Sequence, residues 1–319
     1  SLFQAGSGVI NVELDPGDGR LLQVCSSLPS AVTTNSEVKN VAFISGPITI
    51  NTGASVSIQA GTITRIMKDS SIYVDNGASL TIRGDFTADD NVHIEVAPNG
   101  SLVFDHAVCK WGQGSVIEVN GGSLNINGGS MDKASESTTW AGIRVTGSDL
   151  VNISDATISN AFINHIFDSN LYMSNSRINV PGGSYGLLLK NSAPGFQTEI
   201  INTEPGRGFY GTSNLTSKGM YLYTMKNPVY ISNVDFQNLN YGIFKSAIPY
   251  ATDSVSECNF VNCDTGIRLC NNENGTDIEQ CSFANNQTGK QCTGIQLVAS
   301  SPTISTSNFT NLYRGILTE

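Results

Sequence analysis

The phrase NTGASVSI at Asn51 returns as DNGASLTI at Asp75, PNGSLVF at Pro98 and NGGSLNI at Asn120, and its glycines, Gly53, Gly77, Gly100 and Gly122, lie 24, 23 and 22 residues apart. Each copy follows a short alternating run (PITI, SIYV, HIEV, VIEV) and leads into another, a pattern of strand, tight turn and strand. From Trp140 the wording changes and the beat continues. A glycine read as the turn residue precedes apolar, any, apolar: GIRV at Gly142, GLLL at Gly186, GMYL at Gly219, GIFK at Gly242, GIRL at Gly266, GIQL at Gly294 and GIL at Gly315. NHIF fills the place between Gly142 and Gly186, with Asn164, tolerant of a positive φ, near the glycine slot. The intervals are then 22, 22, 33, 23, 24, 28 and 21 residues.

Such a period, with strands of three to five residues, is too long for two-residue hairpin turns and too rich in β-formers for helical repeats. It predicts an all-β solenoid in which three short strands make one coil and each coil lies on the next at about 4.8 Å. The expected fold is a right-handed parallel β-helix, the hand following from the crossover rule. About twelve coils of 22–24 residues would form a rod about 55 Å long at that spacing.

Composition agrees: only 14% of the 319 residues are charged and there are 32 glycines. The net charge of −10 opposes attachment to phosphate backbones, so nucleic acid is not an expected partner. No apolar run approaches the roughly 20 residues of a membrane span. The first ten residues, SLFQAGSGVI, have neither the basic start nor the apolar centre of a signal peptide.

If coils stack in register, residues one period apart form columns. Phe236, Phe260, Phe283 and Phe309 would make an inward aromatic column. Asn238, Asn262, Asn285 and Asn311 would make an amide ladder at the following turn, each donating to the next. Just before the aromatic column, Val234, Cys258, Cys281 and Thr306 are expected inward and Asp235, Asn259, Ser282 and Asn308 outward. Cys258 and Cys281 are then vertical neighbours within reach of a disulfide, although buried thiols acting as small apolar groups are the simpler reading. The seven cysteines contain no CxxC pair of the zinc or redox kind.

Residues 1–40 lack the beat and are expected to form an entry or capping segment, with the β-helix over 41–319. RGILTE stops in mid-coil, an open edge that predicts more chain or another subunit beyond residue 319.

Candidate chemistry is sparse. The 33-residue interval predicts a loop insertion near 190–215, and Phe196, Glu199, Glu204, Arg207, Phe209 and Tyr210 there are the types that grip a sugar. An insertion that packs its own aromatics over the helix is the plainer alternative. In CNNENGTDIEQC, the acids Glu273, Asp277 and Glu279 are oxygen donors of the kind calcium takes, but without the order of a helix-loop-helix calcium site; solvated acid is the reading and no cofactor is expected. Arg144 and Arg268 are outward, about five coils apart, and read as solubilising. His93, His106 and His165 lack the partners of a metal or base motif.

WAGIRVTG at 140–147, with GSLNINGGSM before it and ISDATISNA after it, resembles the secreted right-handed β-helix surface proteins of Bacteroidota-type bacteria. The resemblance covers most of 41–319 and implies an extracellular or cell-surface stalk or adhesive module of a larger exported chain. It implies no catalytic residue. The expected function is a non-catalytic structural or adhesion module that contacts polysaccharide or a partner protein. The alternative is a polysaccharide lyase or glycoside hydrolase of the β-helix kind. That alternative requires outward carboxylates clustered with Arg or Lys on neighbouring coils of one face, and the repeat alone does not assemble them.

Overall fold

The computed structural model describes residues 28–135, 139–148, 150–212, 216–246, 253–271 and 275–319. Among these residues the fold is all-β: three parallel sheets of 13, 12 and 12 strands, in which every third strand along the chain joins the same sheet. The chain thus winds through sheets I, II and III in turn, about twelve times, as a parallel β-helix. The first coil is made by Ala31–Val32, Ser36–Val38 and Val41–Ile44. The solenoid therefore starts inside the segment expected to be a cap, whose residues 1–27 lie outside the described residues. No helix of the described residues is long and apolar enough to cross a membrane.

Alternation within each strand supplies the core. In sheet I, Ile72, Ile94, Ile117 and Ile143 stand in one inward column and Val74, Val96, Val119 and Val145 in the next. In sheet II, Phe104, Ile126, Ile153 and Met173 do the same. All are buried. A coil alone exposes both faces of its inward side chains, so apolar burial is completed only when the next coil lands in register.

The aromatic column belongs to sheet III. Phe236, Phe260, Phe283 and Phe309 stack with ring centroids 4.8, 4.7 and 5.0 Å apart, and Phe209 extends the stack one coil further at 5.2 Å. Earlier in the chain the same column holds Phe86, Cys109 and Met131, and Trp111 and Trp140 stack nearby, fully buried, at 5.3 Å. Trp140 donates its Nε1–H to the Ser159 carbonyl at 2.9 Å.

The second-half glycines do not sit at turns. Gly242, Gly266 and Gly294 lie within the sheet I strands Tyr241–Ser246, Thr265–Cys270 and Thr293–Val298. A Cβ on Gly242 would stand 2.6 Å from the Gly266 carbonyl oxygen and 2.7 Å from Phe260 Cδ1. The glycine and phenylalanine beats are thus one device: the backbone of sheet I approaches closely to make room for the rings of sheet III.

The asparagine column is only partly a ladder. Asn238, Asn262 and Asn311 adopt left-handed φ of 55°, 56° and 54° at the corner, and Asn262 donates to Asn238 Oδ1 at 3.4 Å. The link to Asn285 is missing. Asn285 turns its amide to the Gln287 and Lys290 carbonyls, while Asn262 Oδ1 accepts from the Asn286 backbone N–H. The longer corner after Asn285 supplies those nearer partners. In the slot before the rings, pairing of Ser282 with Asn308 puts Ser307, not Thr306, above Cys281. Cys258 and Cys281 are buried free thiols, as are Cys109, Cys263 and Cys292; Cys25 lies outside the described residues.

One polar pair sits in the core. Lys245 occupies an inward position between Leu222 and Leu269, is 1% exposed, and makes an ion pair with buried Asp253, which also accepts from the Val229 backbone N–H at 3.0 Å. Burial pulls the Lys245 ammonium down to about 8.

Candidate functional site

The outward face of sheet I carries the richest set of side chains. Parallel pairing brings Glu95, Glu118, Arg144 and His165 into one outward column on four successive coils. Neighbours in such a column are about 4.8 Å apart at the backbone. His93 leans into it, with Nε2 3.2 Å from Glu118 Oε2. The His165 imidazole is held below its ordinary value of 6.5, first by burial and second by the Arg144 guanidinium beside it.

Above His165 the face turns aromatic. His165 stacks on Phe167 at 5.4 Å. Tyr185, Tyr221 and Phe244 form an outward row on three successive coils, with centroids 6.0 Å apart for the first pair and 4.8 Å for the second. Tyr241 flanks the row 5.4 Å from Phe244, and Tyr223, 46% exposed, flanks it 6.1 Å from Tyr221.

Cations are set against these rings. Lys218 Nζ lies 4.4 Å from the Tyr185 centroid and donates to its hydroxyl at 3.1 Å. Arg268 lies 5.4 Å from the Phe244 centroid and donates to the Tyr241 hydroxyl at 3.0 Å. Lys190 stands 6.0 Å over Phe167. Arg144 and Arg268, read from the sequence as isolated solubilising groups, are therefore two ends of a continuous surface.

The residues predicted to bind a ligand do not meet at one place. The 33-residue interval is not a single loop: it makes a complete coil, with Thr198–Ile201 in sheet II and Gly208–Tyr210 in sheet III. Longer corners at 192–197 and 202–207 take up surplus residues. Phe209 cannot contact a ligand, because alternation points it into the core between Ile178 and Phe236. Glu199 points outward from sheet II between Tyr172 and Tyr230 and accepts from Gln197. Glu204 and Arg207 pair at 3.2 Å on the next corner, and Phe196, half-buried, precedes sheet II. Tyr210 faces outward from sheet III under Arg177, 3.8 Å away, and donates to Asp235 at 3.1 Å. Burial and the Asp235 carboxylate push its hydroxyl up to about 12. These two aromatics and three charges thus face three directions. Tyr210 lines an open cleft of about 440 Å³ with Arg177, Asn179 and Gln237, and Glu199 lines a separate one of about 460 Å³ with Gln197, Tyr230 and Ser254.

Of the acidic loop, Asp277 and Glu279 project outward from the sheet II strand Thr276–Glu279, and Glu273 lies outside the described residues. Among the described residues no three His, Cys, Asp or Glu side chains gather in a metal-binding group. The sheet I column had a signal in the sequence: Glu95, Glu118, Arg144 and His165 all occupy the third place of HIEV, VIEV, GIRV and INHI.

No family model matches the chain, and no curated protein matches it. Solved structures do. A double mutant of the periplasmic alginate epimerase AlgG is 11% identical, with 89% of this chain and 78% of that one covered at a TM-score of 0.38. The A-module of the Azotobacter vinelandii mannuronan C-5 epimerase AlgE4 is 8% identical, covering 88% and 90% at 0.33. The Streptococcus pneumoniae surface protein and adhesin PfbA is 10% identical, covering 88% and 91% at 0.31. These likenesses concern the β-helix fold alone.

Proposed function

We propose that the protein is an extracellular, non-catalytic binding module that holds an extended polysaccharide along the outer face of sheet I. The observation that carries this reading is the outward row Tyr185, Tyr221 and Phe244, repeated coil by coil. The stacked rings present their edges side by side as an apolar ridge against which sugar C–H groups pack, and the tyrosine hydroxyls and adjoining cations offer orienting polar groups. A rigid solenoid repeats that contact along its axis, which suits a polymer better than a small ligand.

The test is binding of a polysaccharide panel to the wild type and to the Tyr221→Ala, Phe244→Ala double variant, with folding checked by circular dichroism. Loss of retention in the double variant supports the reading, and equal retention overturns it. A second reading, polysaccharide cleavage by β-elimination, draws on His165, a neutral imidazole beside Arg144, since such chemistry needs a base next to a cation that neutralises a carboxylate. Unsaturated-end absorbance that vanishes in His165→Gln would select it.

A further inference from the structure

Charge is segregated in this molecule. The chain carries a net charge of −10, yet eight successive strands of sheet I, from Gly142–Thr146 to Arg314–Thr318, contain no Asp or Glu. Those same strands place Arg144, Lys190, Lys218, Arg268 and Arg314 at outward positions.

Five cations outside the sheet I strands are neutralised internally, Arg65 by Asp89, Arg83 by Asp105, Lys110 by Asp132, Arg207 by Glu204 and Lys290 by Asp264, while Arg177 of sheet III lies over Tyr210. The outward cations of sheet I have no carboxylate partner among the described residues. Lys190, Lys218, Arg268 and Arg314 rest on aromatic rings instead of carboxylates. A ring fixes the position of a cation without cancelling its charge, so each head group stays available to an incoming anion. They recur along the axis at intervals of one or two coils, roughly 5–10 Å at the spacing of stacked strands.

We infer that the polysaccharide held by this face is acidic, bearing carboxylate or sulfate groups that pair with the cation row while its sugar units pack along the edges of the aromatic row. The inference rests on the glycan-binding reading and narrows it. Acidic surface on the rest of the molecule repels such a polymer everywhere else, so the field directs it to sheet I.

The experiment measures binding of the full chain to two matched pairs, polygalacturonate with its methyl-esterified form and dextran sulfate with dextran, at about 50 and about 500 mM salt, a rise that shortens the Debye length roughly threefold. The expected result is at least tenfold tighter binding of an acidic member than of its neutral partner, lost at high salt. Lys218→Gln with Arg268→Gln should remove most of that preference, and Lys218→Arg should keep it. Equal binding of acidic and neutral members overturns the acidic assignment while leaving glycan binding intact. Binding of neither pair overturns both, as does retention of duplex DNA without retention of either acidic glycan. Unchanged circular dichroism of the variants separates lost charge from lost fold.

Discussion

Gly266 lies directly against the ring of Phe283: a Cβ there would stand 2.7 Å from Phe283 Cδ1 and 2.6 Å from the Gly294 carbonyl oxygen. Neither neighbour is a flexible side-chain end, because Phe283 is stacked between Phe260 and Phe309. Gly266→Ala should therefore overpack the coil and cost about 1–3 kcal/mol. Gly315, at the equivalent place in the last coil, has nothing closer than 3.6 Å. Gly315→Ala should be neutral or stabilising by up to about 1 kcal/mol, since alanine restricts the unfolded chain. Urea melts of the two variants check the opposite outcomes.

Phe209 is a core residue. Its truncation to Ala removes a buried ring from the stack and should cost about 3–5 kcal/mol. Glycan retention, measured well below the melting temperature, should stay at the wild-type level. Retention lost from a variant that is still folded would return Phe209 to the binding surface.

Lys245 and Asp253 should be costly to separate and cheap to remove together. Lys245→Met leaves the Asp253 carboxylate buried without its partner, at a cost of about 3–5 kcal/mol. Adding Asp253→Asn removes the stranded charge and keeps an acceptor for the Val229 N–H. The double variant should recover most of the loss in a double-mutant cycle. Additive costs would show that the pair is not coupled.

His165 makes stability depend on pH. Its folded-state value lies below the ordinary 6.5, so the unfolded chain takes up this proton first as the pH falls. Stability is then lost as the pH drops from 6.5 toward the folded-state value, and levels off below it. Thermal midpoints between pH 7 and pH 5 should fall further for the wild type than for His165→Gln. Parallel curves would refute the assignment.

Much of this molecule was legible in its sequence. The period set the coil, and alternation set which side chains turn inward, because both depend on neighbours a few residues apart. The parallel β-helix and the aromatic column from Phe236 to Phe309 follow from those two regularities. What lies across a coil boundary was decided by the tertiary structure. Tyr185 and Tyr221 are 36 residues apart, well off the beat, yet stack at 6.0 Å. Longer corners absorb the surplus, and register shifts near Ile163 and Leu189 realign the strands. The same bookkeeping of corners turned an apparent binding loop into a full coil and sent Phe209 inward. It also placed Lys218 beside Tyr185, 33 residues away. Outward residues carry no apolar signal that demands a register, so only the stacking of finished coils determines which of them become neighbours.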